Sequence, residues 1–81
     1  MTITVFSREK CPQCKMVKRF FTEHNINFKE RQKEEYPDDV DYLKSKGFKT
    51  YPVTIIEEMN LEITGFDIKK LKEIEGELKN A

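Results

Sequence analysis

The sequence predicts an α/β domain in which a four-stranded mixed sheet is flanked by three helices. Short β-rich apolar runs alternate with longer segments whose apolar residues recur at helical spacing. A cysteine pair lies where the first strand passes into the first helix. The segments follow the order β-α-β-α-β-β-α. The first βαβ unit is therefore expected to be a right-handed parallel crossover, and the last two strands an antiparallel hairpin.

The first strand is predicted at residues 2–6, where T-I-T-V-F is rich in residues that favour strands. The first helix is predicted from Pro12 to about Asn25, because asparagine often follows the last helical residue. One face of that helix carries a stripe at i, i+3, i+4 and i+7 spacing, formed by Val17, Phe20, Phe21 and His24. The alternation of residues 26–31 predicts the second strand.

The second helix is expected to start at Pro37 and the two aspartates that follow it, and to end at Gly47. Residues 53–56 and 61–64 are the predicted third and fourth strands, joined by a turn. Asp67 is the expected cap of the last helix. That helix carries four apolar residues on one side: Ile68, Leu71, Ile74 and Leu78.

Length and charge limit the classes of function. The 81 residues are expected to form one domain, residues 1–81, with 15 basic and 15 acidic side chains. A net charge of zero predicts no nucleic-acid or membrane partner. The charges are nevertheless segregated: residues 8–19 are mostly basic, and residues 34–41 contain acids without a base. We expect a basic end around the cysteines and an acidic flank away from it.

No segment of the sequence indicates export or a membrane span. The first apolar stretch covers only residues 3–6 and is too short for a signal peptide. No run approaches the length of a transmembrane helix. With a single cysteine pair of the exchange type, these features predict a cytoplasmic protein whose cysteines are normally reduced.

The cysteine pair predicts thiol–disulfide exchange. Cys11 is the expected N-cap of the first helix, and Pro12 suits the first helical position. A helix N-terminus favours an anion, so it stabilises the thiolate that attacks disulfides, and Lys10 and Lys15 add positive charge. Cys14 lies one turn further in and should be less exposed. Cys11 is therefore the predicted attacking residue, and Cys14 the residue that resolves the mixed disulfide.

Three other interpretations of the pair are weaker. Zinc needs four ligands, whereas this chain offers two cysteines and His24, so only a dimer completes such a site. We therefore predict no metal site. A structural disulfide across three residues closes too small a loop to stabilise the fold much. Two unrelated buried cysteines would not be expected to lie as a pair around a proline at a helix start.

Two loops are expected to face the cysteines. A cis Tyr51-Pro52 bond would present the Tyr51 backbone to an extended substrate, which could then bind as an added strand; a trans proline at the strand start is the alternative. Gly65 would allow close approach of a ligand, and the helix start at Asp67 could hold a carboxylate. Phe66 is either an exposed docking residue or a core residue.

Three local features resemble the thioredoxin superfamily in its short glutaredoxin-like form, and most closely the NrdH-redoxins. They are C-P-Q-C-K-M-V-K-R at residues 11–19, Lys46-Gly47-Phe48, and Thr64-Gly65-Phe66. The resemblance covers nearly the whole chain. It implies a thioredoxin/glutaredoxin fold and a monomeric electron carrier. Gln13 also agrees with this resemblance, because relatives that use glutathione usually carry tyrosine at that position.

The resemblance also implies partners and site residues. Such a carrier takes electrons from thioredoxin reductase and passes them to the large subunit of class Ib ribonucleotide reductase. It needs no cofactor beyond its redox-active disulfide and uses NADPH only through the reductase. Cys11 and Cys14 are the implied catalytic residues. The implied binding residues are Lys10, Pro12, Gln13, Tyr51, cis-Pro52, Thr64, Gly65, Phe66 and Asp67.

Two departures from the family pattern keep an alternative open. Ile63 stands where NrdH-redoxins often have an aromatic residue, and Asp67-Ile68 replaces their Arg-Pro. Gly65-Phe66-Asp67 is instead similar to the glutaredoxin segment Gly-Cys-Asp, where glutathione binds. The alternative is therefore a glutathione-dependent glutaredoxin.

Overall fold

The computed structural model describes residues 2–79, and its elements follow the predicted order. The helices and strands, with a single 3₁₀ turn at Glu57–Met59, are β1 (Ile3–Ser7), α1 (Pro12–Glu23), β2 (Lys29–Gln32), α2 (Asp39–Ser45), β3 (Val53–Ile56), β4 (Leu61–Thr64) and α3 (Ile68–Lys79). Within this described part of the chain, no helix is both long and apolar enough to cross a membrane.

The four strands form one mixed sheet in the order β2-β1-β3-β4. β1 is parallel to β2 and β3 is antiparallel to β4, as the sequence predicts. β1 is antiparallel to β3, a pairing that was not predicted. Phe6 pairs with Val53, which in turn pairs with Thr64. The end of β1, the start of β3 and the end of β4 therefore lie side by side at the same end of the sheet, beside the start of α1.

The core lies on both faces of the sheet. The larger cluster joins one face to the buried sides of α1 and α3. Its members are Ile3, Val5, Val17, Phe20, Phe21, Ile26, Ile56, Ile63, Leu71 and Ile74. A smaller cluster includes Leu43 of α2 and lies on the opposite face, where alternation along β1 directs Phe6. Its other members are Val53 and Ile55.

The observed elements differ from the predicted ones mainly at their ends. β1 begins and ends one residue later than predicted, and α1 ends at Glu23, with Asn25 in a left-handed conformation after it. β2 begins only at Lys29, because its pairing with β1 starts there. Ile26 is buried outside the ladder, so the apolar signal that predicted an earlier start comes from core packing.

Two residues assigned to apolar helix faces lie elsewhere. Ile68 is the first residue of α3 and is 40% exposed, so the buried side of that helix begins at Leu71. His24 follows α1 rather than lying within it, and its exposed ring stacks on Phe20 and contacts Glu75 of α3. The helical spacing is correct in both cases, but terminal residues turn away from the core.

Candidate active site

Cys11 and Cys14 form a disulfide at the N-terminus of α1, with their Cα atoms 5.2 Å apart. Cys11 has extended backbone geometry and is the N-cap, and Pro12 opens the helix, as predicted. The Cys14 backbone N–H donates a hydrogen bond to Cys11 Sγ at 3.2 Å. After reduction, the Cys11 thiolate therefore lies at the positive end of the helix, where its negative charge is favoured.

The two sulfur-bearing residues differ little in exposure. Cys11 is 4% exposed and Cys14 is 1% exposed, which agrees in direction with the prediction. A substrate must therefore approach Cys11 through the groove beside it rather than across an open surface.

That groove has a volume of about 710 Å³ and passes between the start of α1 and the loop before β3. It contains five of the predicted site residues: Cys11, Pro12, Gln13, Tyr51 and Gly65. It also contains four residues that were not predicted as site residues: Arg8, Lys33, Lys49 and Thr50. Arg8 belongs to the basic run around the cysteines, but no local pattern relates Lys33 or Lys49 to them.

The Tyr51-Pro52 peptide bond is cis, as predicted, and it adjoins the groove. The Pro52 carbonyl accepts a hydrogen bond from the Gly65 N–H at 2.9 Å, which ties this loop to the end of β4. Within residues 2–79, no hydrogen bond is made by the Tyr51 backbone N–H or C=O. These groups are therefore free to pair with an extended substrate.

The Tyr51 side chain has a structural role. It packs against the smaller core cluster, and its hydroxyl is buried without a partner among the described residues. Burial, with the negative charges of Asp39 and Glu34, raises the pKa of Tyr51 above its ordinary value. The phenol therefore stays neutral at physiological pH and supplies no base.

The segment after β4 contains three predicted site residues, Gly65, Phe66 and Asp67. Gly65 has a φ of +69°, and a Cβ there would lie 3.0 Å from Gln13 Oε1. Gly65 thus admits the Gln13 side chain, whereas the sequence suggested the approach of a ligand. Phe66 is half-buried and packs against the larger cluster, so part of its ring stays exposed and its role as a docking residue remains a prediction. Asp67 Oδ1 accepts a hydrogen bond from the Lys70 N–H at 3.3 Å and caps α3, as predicted.

Two predicted site residues lie near the groove without lining it. Lys10 is exposed in the loop before Cys11, where it has a φ of +53°. Thr64 is exposed at the end of β4, opposite Val53. Their assignment as binding residues remains a prediction.

We expect Gly65→Ala to slow disulfide exchange, whereas Gly47→Ala should not. Both glycines have positive φ, so each alanine should destabilise the fold by about 1–2 kcal/mol. Only the Gly65 substitution crowds Gln13, because no atom lies within 4 Å of a Cβ at Gly47. Urea unfolding measures the destabilisation, and single-turnover reduction of a peptide disulfide measures the rate. Equal rates for the two variants would contradict this role of Gly65.

A polar network supports the loop that leads to Cys11. Ser7 is buried at the end of β1, and its hydroxyl donates to Glu30 Oε2 at 2.8 Å. Lys18 Nζ of α1 donates to the same oxygen at 2.6 Å. Burial alone would raise the Glu30 pKa, but these hydrogen bonds outweigh it and hold that pKa below 4.5. The network joins β1, β2 and α1, and no sequence spacing indicates it.

We expect Glu30→Gln to destabilise the fold by about 1 kcal/mol at neutral pH, because it removes the charge that Lys18 and Ser7 contact. The pKa of Glu30 is lowered in the folded state. Its contribution to the free energy of unfolding is therefore complete above pH 4.5, and it is lost as the pH falls through the lowered pKa. Urea unfolding of both proteins across this range measures the difference. The control is Glu35→Gln, an exposed carboxylate; a pH-independent difference for Glu30→Gln would contradict the linkage.

The charge distribution corrects one prediction. The acidic run does not lie away from the cysteines, because Glu34 Oε1 accepts a hydrogen bond from the Glu9 N–H at 3.1 Å. Asp39 forms a bidentate ion pair with Arg31, in which Nε donates to Oδ2 at 2.7 Å and Nη2 donates to Oδ1 at 3.1 Å. The turn after β2 brings the acids close to the loop before Cys11, a proximity that depends on the sheet order. Within residues 2–79, no three His, Cys, Asp or Glu side chains come together as a metal site.

Comparison with known proteins agrees with this geometry. Residues 3–59 match the glutaredoxin family. The chain is 36% identical over 72 residues to the glutaredoxin-like protein NrdH of Lactococcus lactis subsp. cremoris (strain MG1363), covering 89% of this chain and 97% of that protein. It is 28% identical over 60 residues to NrdH of Escherichia coli (strain K12), covering 74% of each.

Solved structures are similar as well. The structure of the NrdH-redoxin from Escherichia coli superposes with a TM-score of 0.84 at 27% identity, covering 90% of this chain and 93% of that one. Glutaredoxin 1 from Francisella tularensis has a TM-score of 0.68 at 25% identity, with coverage of 99% and 98%. With its Cys11–Cys14 pair at a helix start, this chain is a thiol–disulfide oxidoreductase that belongs to the glutaredoxin family, in its NrdH group.

Proposed function

We propose that this protein is a small dithiol electron carrier that thioredoxin reductase reduces and that donates electrons to the large subunit of class Ib ribonucleotide reductase. One observation carries the proposal: the groove at Cys11 is lined by Tyr51, whose unpaired backbone groups can bind an extended segment of a protein substrate. The Escherichia coli NrdH-redoxin has a thioredoxin-like activity profile. The proposal adds that the carrier acts as a monomer in the reducing cytoplasm.

The chemistry needs only the two cysteines. The Cys11 thiolate attacks one sulfur of the substrate disulfide, and the other substrate sulfur leaves as a thiolate that takes up a proton. Deprotonated Cys14 then attacks Cys11 Sγ and releases the second substrate sulfur. The substrate gains two electrons and two protons, and the carrier gains the Cys11–Cys14 disulfide. The reductase reverses that oxidation with electrons from NADPH, so the carrier itself holds no further cofactor.

A reductase assay tests the proposal directly. The oxidised protein is incubated with NADPH and thioredoxin reductase, and in parallel with NADPH, glutathione and glutathione reductase, and free thiols are counted in each. We expect the disulfide to be reduced in the first mixture. A second stage adds the oxidised class Ib large subunit and measures the free thiols that appear on it. A disulfide that stays intact with thioredoxin reductase would contradict the proposal.

The second candidate is a glutathione-dependent glutaredoxin. The Asp67 carboxylate at the start of α3 favours it, because its negative charge suits the ammonium group of glutathione. Reduction only in the glutathione mixture would establish this function. The groove geometry makes it the weaker candidate, since no α3 residue lines the groove in the described part of the chain.

A further inference from the structure

The groove at Cys11 is strongly basic. Among its lining residues, Arg8, Lys33 and Lys49 are cations and none is a carboxylate. They come from three separate loops: Arg8 follows β1, Lys33 follows β2, and Lys49 precedes β3. Only the fold therefore brings these cations, which are far apart in sequence, to one groove.

Their positive charge is not neutralised by ion pairs. No carboxylate within residues 2–79 forms a salt bridge with any of the three. Arg8 donates to the backbone carbonyl of Glu9 at 3.1 Å, which fixes its position and keeps its charge. Of the nearby acids, Asp39 is paired with Arg31, whereas Glu34 accepts a hydrogen bond from the Glu9 N–H and keeps its negative charge. Neither acid lines the groove, and all charged residues of the lining are cations. The groove therefore presents a field that attracts anions.

The shape of the groove favours a peptide as the anion. The free backbone groups of Tyr51 lie within it and suit pairing with an extended chain, which would carry its side chains past Lys33 and Lys49. Gln13 and Gly65 line the groove, and no residue of α3 does so within the described part of the chain. The groove therefore offers a small ligand no contact with α3.

We propose that Arg8, Lys33 and Lys49 select protein disulfides that are flanked by acidic residues. This inference deepens the proposed function, since it names the substrate class that the same site prefers. It rests on exchange at Cys11 and does not depend on which reductase regenerates the dithiol.

The test uses chemically reduced protein and synthetic peptides with one intramolecular disulfide, flanked by glutamate, glutamine or lysine. Single-turnover rates are measured at low ionic strength and at about 1 M salt. At the higher salt concentration the Debye length is only about 3 Å, so interactions between exposed charges are largely screened. At low salt we expect the glutamate peptide to react about three- to tenfold faster than the glutamine peptide, and the lysine peptide to react slowest. High salt should bring the three rates together.

Matched variants assign the effect to the groove. A double variant that combines Lys33→Gln and Lys49→Gln should bring the ratio of the glutamate-peptide rate to the glutamine-peptide rate toward one. The control, Lys29→Gln with Lys72→Gln, removes the same charge outside the groove and should keep the wild-type ratio, since Lys29 lies opposite Thr4 and Lys72 is exposed on α3.

Two outcomes would overturn the inference. One is the absence of a groove effect, seen either as equal rates for the glutamate and glutamine peptides at low salt or as an equal change of their ratio in both double variants. The other is faster reduction of glutathione disulfide than of the glutamate peptide, with a larger loss in the groove variant, which would assign the cations to glutathione. Because no reductase is present, failure of thioredoxin reductase to reduce this protein would leave these results unchanged.

Discussion

Cys11→Ser should abolish disulfide reduction, lowering its rate to that of a reaction without protein. A serine hydroxyl is not ionised at neutral pH and does not attack a disulfide sulfur, so the first step has no nucleophile. No other cysteine can replace it, because the chain has only Cys11 and Cys14, and only Cys11 lines the groove through which a substrate approaches. Single-turnover reduction of a peptide disulfide by the pre-reduced variant measures the loss.

Cys14→Ser should behave differently. In this variant Cys11 still lies at the helix N-terminus and lines the groove, so it still attacks the substrate disulfide. No second thiol is present to resolve the mixed disulfide that forms. The variant should therefore accumulate a mixed disulfide with the substrate, which mass spectrometry detects as one covalent adduct that dithiothreitol removes. Adducts at equal yield on both variants would show that the roles of the two cysteines are not distinct. Reduced wild-type protein is the folding control, because neither variant forms the internal disulfide.

Phe21→Ala should remove a large part of the stability of the fold. Phe21 is fully buried in the larger cluster, with its ring centroid 5.9 Å from that of Phe20 and 5.6 Å from that of Phe28. Truncating such a phenylalanine destabilises a protein by about 3–5 kcal/mol, through lost burial and the cavity left behind. Domains of this kind have total stabilities of about 5–15 kcal/mol, so urea unfolding should show a large shift.

A residue on the same helix provides the control for this prediction. Met16 is 46% exposed on α1, and Met16→Ala should change the free energy of unfolding by about 0.5 kcal/mol or less. Similar losses for the two variants would show that α1 does not pack through the Phe21 face. A second measurement at low temperature, where Phe21→Ala is still folded, should show that it retains exchange at Cys11.

The local features of the site could be predicted from the sequence, since each depends on neighbouring residues. Cys11 as N-cap, Pro12 in the first turn and Asp67 as the cap of α3 follow from the preferences of helix ends. β3 and β4 occur at the predicted residues. The cis bond at Pro52 is likewise found where it was predicted.

The remaining features depend on which strands are neighbours. Lys33 and Lys49 reach the groove because β2 and β3 both flank β1, and residues this far apart in sequence show no common pattern. The same arrangement brings Ser7 to Glu30 and places the acidic run near the loop before Cys11.

The sequence predicts the cysteine pair at a helix start, the order of the elements and the helix caps, because spacing and capping act over a few residues. The tertiary structure adds that Phe66 is half-buried against the larger cluster, that Gln13 lies beside Gly65, and that three cations line the groove. Those outcomes follow from packing between distant segments, which hydrophobic periodicity does not encode.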